Sequence, residues 1–224
     1  MAVMDSSAVN LESAPALCPR CGKPPALCVC ENIAAIDNRI ALVILQHPQE
    51  QDRELGTARL TALHLKHATL KIGLSWPSLA KALGRPVDPK RWAVLYLGSV
   101  SRKTLPANRE IVALDSKGAP LDDQDKILEE IEGIVLLDGS WSQAKALWWR
   151  NPWVLKCRRI ALNPKQRSRY GNLRREPRYE GLSTLEAAAL CLSQLGAQPE
   201  IAAALTRSFG LLLTRYRGAT TQRN

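Results

Sequence analysis

The sequence predicts an α/β fold, a largely parallel sheet with flanking helices, and three observations lead there. Short continuous apolar runs with β-branched members recur along the chain and each ends at glycine or a polar residue, the pattern of strands buried on both faces. Stretches with apolar residues at helical spacing separate several of these runs, and strand–helix alternation builds layered parallel sheets. The chain has 224 residues, 46% hydrophobic and 23% charged, which supports one core of about 150–200 residues with small appendages and excludes wholesale disorder.

Residues 1–17 are small, polar and unpatterned and read as a flexible lead. Residues 18–32 form a unit of their own. Cys18, Cys21, Cys28 and Cys30 follow the spacing C-x2-C-x6-C-x-C, and Gly22 permits the tight turn that brings the first pair together. Four thiolates can close a tetrahedral site with no open position, so the segment reads as a structural zinc knuckle rather than four surface cysteines without metal. Cys157 and Cys191 stand apart and read as buried, inert thiols. Residues 33–224 form the main domain. Within it Arg39–Gln46, Arg91–Leu97, Glu110–Leu114 and Gly133–Leu137 read as strands. Thr57 to about Lys71 reads as a helix carrying Leu60, Leu63, Leu65 and Leu70 and stopped by Gly73, and Leu185–Leu195 and Ile201–Tyr216 read as C-terminal helices. No stretch approaches the roughly 18–20 apolar residues of a membrane span, and the N-terminus lacks the features of an export signal. A cytoplasmic protein without a membrane partner is expected. The oligomeric state is left open.

Ligands of open α/β sheets collect beyond the carboxyl ends of the strands. After the first strand comes His47-Pro48-Gln49-Glu50-Gln51-Asp52-Arg53, and after the fourth Asp138-Gly139-Ser140-Trp141-Ser142-Gln143. Ser140 with Gln143, and later Ser183 with Glu186, fit capping boxes. Capping leaves Asp138 and Trp141 unexplained: a carboxylate ending an apolar strand beside an indole suits a flat ligand. Net charge is +10, and between Lys156 and Arg178 nine basic residues face one acid. That segment, with Lys165, Arg167, Arg169, Arg174 and Arg175 interleaved with Tyr170 and Tyr179, reads as a surface that follows phosphates.

The Asp138-Gly139-Ser140-Trp141 turn, Ser183-Thr184-Leu185-Glu186, His47-Pro48-x-Glu50-x-x-Arg53 and the cysteine knuckle together resemble the DTW-domain proteins over nearly the whole chain. Ser140 stands where the family pattern has Thr, and Gly56 where it has Asn. The resemblance implies transfer of the 3-amino-3-carboxypropyl group of S-adenosylmethionine to N3 of a tRNA uridine. It also implies kinship with the SPOUT class, whose C-terminal trefoil knot holds the donor. It assigns Asp138, Ser140 and Trp141 to catalysis, and Leu137, Asp138, Gly139, Trp141, Ser183, Thr184 and Glu186 to the donor. It assigns His47, Glu50 and Arg53, with the basic segment, to the RNA. Asp138 serves either as the base for uridine N3 or to orient the donor's amino group. The alternatives are a SPOUT-type RNA methyltransferase, an aminocarboxypropyltransferase acting on ribosomal RNA, and a non-catalytic zinc-containing RNA-binding module.

Overall fold

The computed structural model describes residues 16–31, 33–96, 100, 104–173 and 181–221. Six strands form one sheet: β1 (Ala41–Gln46), β2 (Ala68–Ile72), β3 (Trp92–Leu95), β4 (Ile111–Leu114), β5 (Gly133–Asp138) and β6 (Arg158–Leu162), in the order β2-β1-β5-β3-β6-β4. All neighbours pair in parallel except β4 with β6, so the largely parallel α/β sheet is present. Its helices are α1 (Ala58–Leu63), α2 (Leu79–Leu83), α3 (Gln124–Glu129), α4 (Trp141–Arg150), α5 (Thr184–Gln194) and α6 (Pro199–Thr221).

The pleat of β1 explains the layering. Every residue of β1 is buried, because successive side chains enter opposite cores. Ala41, Val43 and Leu45 pack with Leu79 of α2, Trp148 of α4, and Trp153 and Val154. Leu42 and Ile44 pack with Leu60 of α1, Leu185 and Leu192 of α5, and Leu205, Phe209 and Leu212 of α6. Leu27, Val29 and Ile33 belong to that second core, so the cysteine segment is built into the domain.

Two expectations need correction. The helix expected from Thr57 to Lys71 ends at Leu63, and Ala68–Ile72 is instead β2, with Leu70 opposite Ile44. The exposed ladder of β1 requires a partner. Asn38 steers the chain there by accepting from the His67 amide at 2.8 Å and donating to the Ile40 carbonyl at 2.8 Å. Pairing thus overrides a helical spacing that is real for Leu60 and Leu63 in α1 and that Leu70 continues by coincidence. Second, the basic run hides a strand. Arg158 and Arg159 open β6. Arg158 donates to the Lys90 carbonyl at 2.7 Å and pairs with Glu130. Arg159 reaches the Asp115 and Ser116 carbonyls and lies over the Tyr96 ring. These two guanidiniums close loops of the fold and do not form part of an open surface.

Gly133 lies between Ala41 of β1 and Trp92 of β3. A Cβ there would sit 2.5 Å from the Trp92 ring, and that ring is buried in a close-packed core with no room to retreat. Gly133→Ala is expected to destabilise the domain by about 1–3 kcal/mol, measured as a lower denaturation midpoint with an unchanged m-value.

Candidate active site and cysteine centre

Chain connections from β1 and β5, adjacent in the sheet, run in opposite directions, to β2 on one side and across β3 to β6 on the other. A crevice opens where such paths diverge. At its floor the register sets Gln46 opposite Asp138. The Gln46 amide donates to Asp138 Oδ2 at 2.7 Å, and the Thr184 hydroxyl, on the first turn of α5, donates to Oδ1. Asp138 is 9% exposed, and each of its carboxylate oxygens has a partner. The His47 amide donates to the Asp138 carbonyl at 2.9 Å, fastening the loop after β1 to the end of β5.

Both helices that start here do so through capping boxes. Ser140 caps α4, with Gln143 Oε1 accepting from the Ser140 amide at 2.6 Å. Ser183 caps α5, with Glu186 accepting from its amide at 2.9 Å and its hydroxyl at 2.8 Å. Glu186 also accepts from the Ser168 hydroxyl at 2.7 Å and the Arg169 amide at 2.8 Å. Its carboxylate therefore ties the basic segment to the start of α5. Glycine suits position 139 because a Cβ would lie 2.7 Å from Gln143 Cβ. Leu137 and Trp141 are half-buried, and Lys145 Nζ lies 5.7 Å from the Trp141 ring centroid.

An open cleft of about 530 Å³ lies beside this floor, lined by Glu50, Asp52, Arg53, Glu54, Leu55, Ser140, Leu173 and Tyr216. Among the described residues three carboxylates and one guanidinium line it, an acidic set within a basic chain. Glu50 is buried, with Arg53 Nε 3.9 Å from it. Gly56 makes a tight turn here: a Cβ would meet the Arg53 carbonyl at 3.1 Å. Thr57 Oγ1 accepts from the Leu185 amide at 3.2 Å, so the loop also reaches α5.

Other expected residues sit elsewhere. Tyr170 is buried, edge-on to Phe209, its hydroxyl donating to the Leu55 carbonyl at 2.7 Å. It serves the core and cannot stack on a base. Arg169 donates to the Thr206 carbonyl at 3.0 Å, and Lys165 and Arg167 are exposed. Arg174, Arg175, Arg178 and Tyr179 lie outside the described residues. Gln46, Leu55, Leu173 and Tyr216 join the site without a sequence signal, except that Gln46 is the one polar residue of a buried strand. A second cavity of about 330 Å³ lies between the knuckle and α6, lined by His64, Arg207, Ser208 and Arg215 among others. Burial, with Arg207 beside it, draws His64 down to about 4.

The Sγ atoms of Cys18, Cys21, Cys28 and Cys30 all lie within 4.8 Å of one another, with Cys21 and Cys28 3.8 Å apart. Tetrahedral zinc at about 2.3 Å from each sulfur separates the sulfurs by roughly 3.8 Å, so the cluster fits the ion. Gly22 adopts φ +70°, closing the turn in which its amide donates to the Cys18 carbonyl at 2.7 Å. The backbone amide of Cys21 brings the Cys18 thiol down to about 6, whereas burial raises Cys21 and Cys30. Burial pushes Cys157 and Cys191 up to about 12, as inert thiols require. Cys21 and Cys30 are therefore protonated at neutral pH without metal, and binding must release those protons. Apparent zinc affinity is expected to rise with pH between 6 and 8 (about), and loading at pH 7 to release at least these thiol protons, measured by zinc titration in weakly buffered solution.

The chain is similar to known proteins along most of its length. The DTW domain model matches residues 15–217. The tRNA-uridine aminocarboxypropyltransferase 2 of Drosophila melanogaster is 31% identical over 85% of this chain and 70% of its own length. The proteins of that name in Macaca fascicularis and Mus musculus are 30% and 32% identical, each over 80% of this chain and 56% of their own length. The chain thus spans little more than half of those mammalian relatives. No solved structure matches it. With a family model covering all but its ends, the chain belongs to the DTW domain family.

Proposed function

We propose that this protein transfers the 3-amino-3-carboxypropyl group of S-adenosylmethionine to N3 of a tRNA uridine, leaving 3-(3-amino-3-carboxypropyl)uridine and 5′-methylthioadenosine. The observation that carries the reading is the meeting of the Asp138–Trp141 turn with the Ser183–Glu186 helix start, joined by Thr184 and Asp138 beside the cleft that Ser140 lines. The names of the relatives supply the reaction class and the tRNA. SPOUT kinship, a C-terminal knotted crossing and a cytoplasmic location belong to the same proposal.

The chemistry needs little beyond placement. The uridine N3 proton goes to a base, N3 forms a bond to the γ-carbon of the methionyl chain, and the bond from that carbon to sulfur breaks. Its electron pair neutralises the sulfonium as the thioether leaves. The donor is already activated, so the protein's part is to align reactants and stabilise charge. Glu50, Asp52 and Glu54 give a cation a favourable potential, and Arg53 gives the donor carboxylate a partner. This moves Glu50 and Arg53 from RNA contact to donor contact. Asp138, held by Gln46 and Thr184, is the base or the anchor of the donor's ammonium. Trp141 walls the flat ligand, and Lys165, Arg167, Arg169, Arg174 and Arg175 meet phosphates.

Two measurements test this. With adenosylmethionine labelled separately in its methyl group and its aminocarboxypropyl chain, only the chain label is expected to reach uridine in digested tRNA. Methyl transfer would point to a methyltransferase, and tRNA binding without either transfer to a binding module. Asp138→Asn keeps the shape of the carboxylate and is expected to lower kcat/KM by about 10²–10⁴-fold if Asp138 is the base. A loss confined to donor affinity assigns it to the ammonium instead, and full activity removes it from both roles.

A further inference from the structure

The wall of the cleft is held from outside by an unusual set of contacts. Lys23 is 4% exposed, and its ammonium donates to the Glu54 carbonyl at 2.6 Å and the Gly56 carbonyl at 2.8 Å. The carbonyl between them, on Leu55, accepts from the buried Tyr170 hydroxyl at 2.7 Å. Three successive carbonyls of an irregular loop are thus taken by side chains that are remote in sequence. Glu54 and Leu55 also line the cleft, so the positions of these carbonyls determine the position of its wall.

Lys23 is placed by the knuckle. It lies two residues after Cys21, and its own carbonyl accepts from the Cys18 amide at 2.8 Å, within the turn that gathers the first two thiols. Arg59, two residues beyond the loop, packs against that turn, its Nη1 lying 2.7 Å from where a Cβ on Gly22 would sit. The Lys23 ammonium lies near the Cys21 and Cys30 sulfurs, with Glu54 and Arg59 also close to it. Four thiolates around one divalent ion are net anionic, which gives this buried ammonium a counter-charge. Without the ion the segment keeps its backbone bonds, the Arg20 guanidinium on the Cys30 and Ile33 carbonyls and the packing of Arg59, but loses the four sulfur bonds that fix Cys21 two residues before Lys23.

We propose that Lys23 is a positioning residue that couples metal loading of the cysteine knuckle to the geometry of the Glu50–Thr57 wall of the cleft. Its consequence for donor binding rests on the transferase reading, whereas its consequence for the loop does not. By reciprocity, a ligand that orders the wall strengthens retention of the metal.

The test compares wild type with Lys23→Met, which keeps the length and apolar stem but donates no hydrogen bond. Metal content, hydrogen exchange of the 50–57 segment and the dissociation constant for adenosylmethionine are measured before and after chelation. Metal-loaded Lys23→Met is expected to retain its zinc and its circular dichroism spectrum. Its 50–57 exchange should rise about tenfold, and its donor affinity fall about tenfold. Chelating the wild type should produce the same rise, and chelating Lys23→Met should add little in that segment, because the link is already cut.

Unchanged exchange in metal-loaded Lys23→Met overturns the proposal, as does a full further rise when that variant is chelated. If Lys23→Met loses its metal or its fold, graded chelation of the wild type decides: exchange in 50–57 must track metal loss while β1 stays protected. Uniform loss of protection would then overturn the proposal. A protein that binds no adenosylmethionine but shows these exchange results leaves the coupling standing and removes the transferase reading.

Discussion

The register between β1 and β5 is the constraint from which the site follows. Ala41 pairs with Gly133 and Gln46 with Asp138 along one uninterrupted parallel ladder. At one end Gly133 leaves room for the Trp92 indole. At the other, the same register brings an amide to a carboxylate. A slip of one residue would invert every side chain of β1 between the two cores. The apolar packing on both faces, from Trp148 on one side to Phe209 on the other, therefore fixes the position of a polar pair at the end of the strands.

Much of the sheet was legible because buried parallel strands leave a simple mark, a short apolar run ended by glycine or a polar residue. β1, β4 and β5 carry it plainly, and the strand predicted from Arg91 to Leu97 is present as Trp92–Leu95. β2 and β6 do not carry it. Ala68–Ile72 is an edge strand, half-buried, with threonine and lysine among its residues, and Arg158–Leu162 begins with two arginines that find carbonyls and Glu130 only in the folded chain. The site divides the same way. The capping boxes and the cysteine spacing are local patterns and could be read from the sequence. The contacts of Gln46, Thr184 and Lys23 span between 31 and 92 residues of chain, and nothing local marks them.

Charge is arranged against the overall balance. The chain carries a net +10, yet among the described residues the charged groups lining the cleft are Glu50, Asp52 and Glu54 with Arg53. An excess of positive charge on the outside raises the encounter rate with a polyanion, while a local excess of carboxylate selects what enters. Composition reports the first property. The second depends on which four residues of one loop face inward.

Two helices begin at the same carboxylate: α4 starts three residues after Asp138, and α5 presents Thr184 to it from its first turn. Each start carries a partial positive charge from aligned peptide dipoles. Their convergence favours anions at the floor, and Asp138 answers it from within the protein. Glu186 does the same within the first turn of α5. Two dipoles that would otherwise draw an anion are thus met by carboxylates of the chain itself, and the field at each helix start holds the protein's own turn in place.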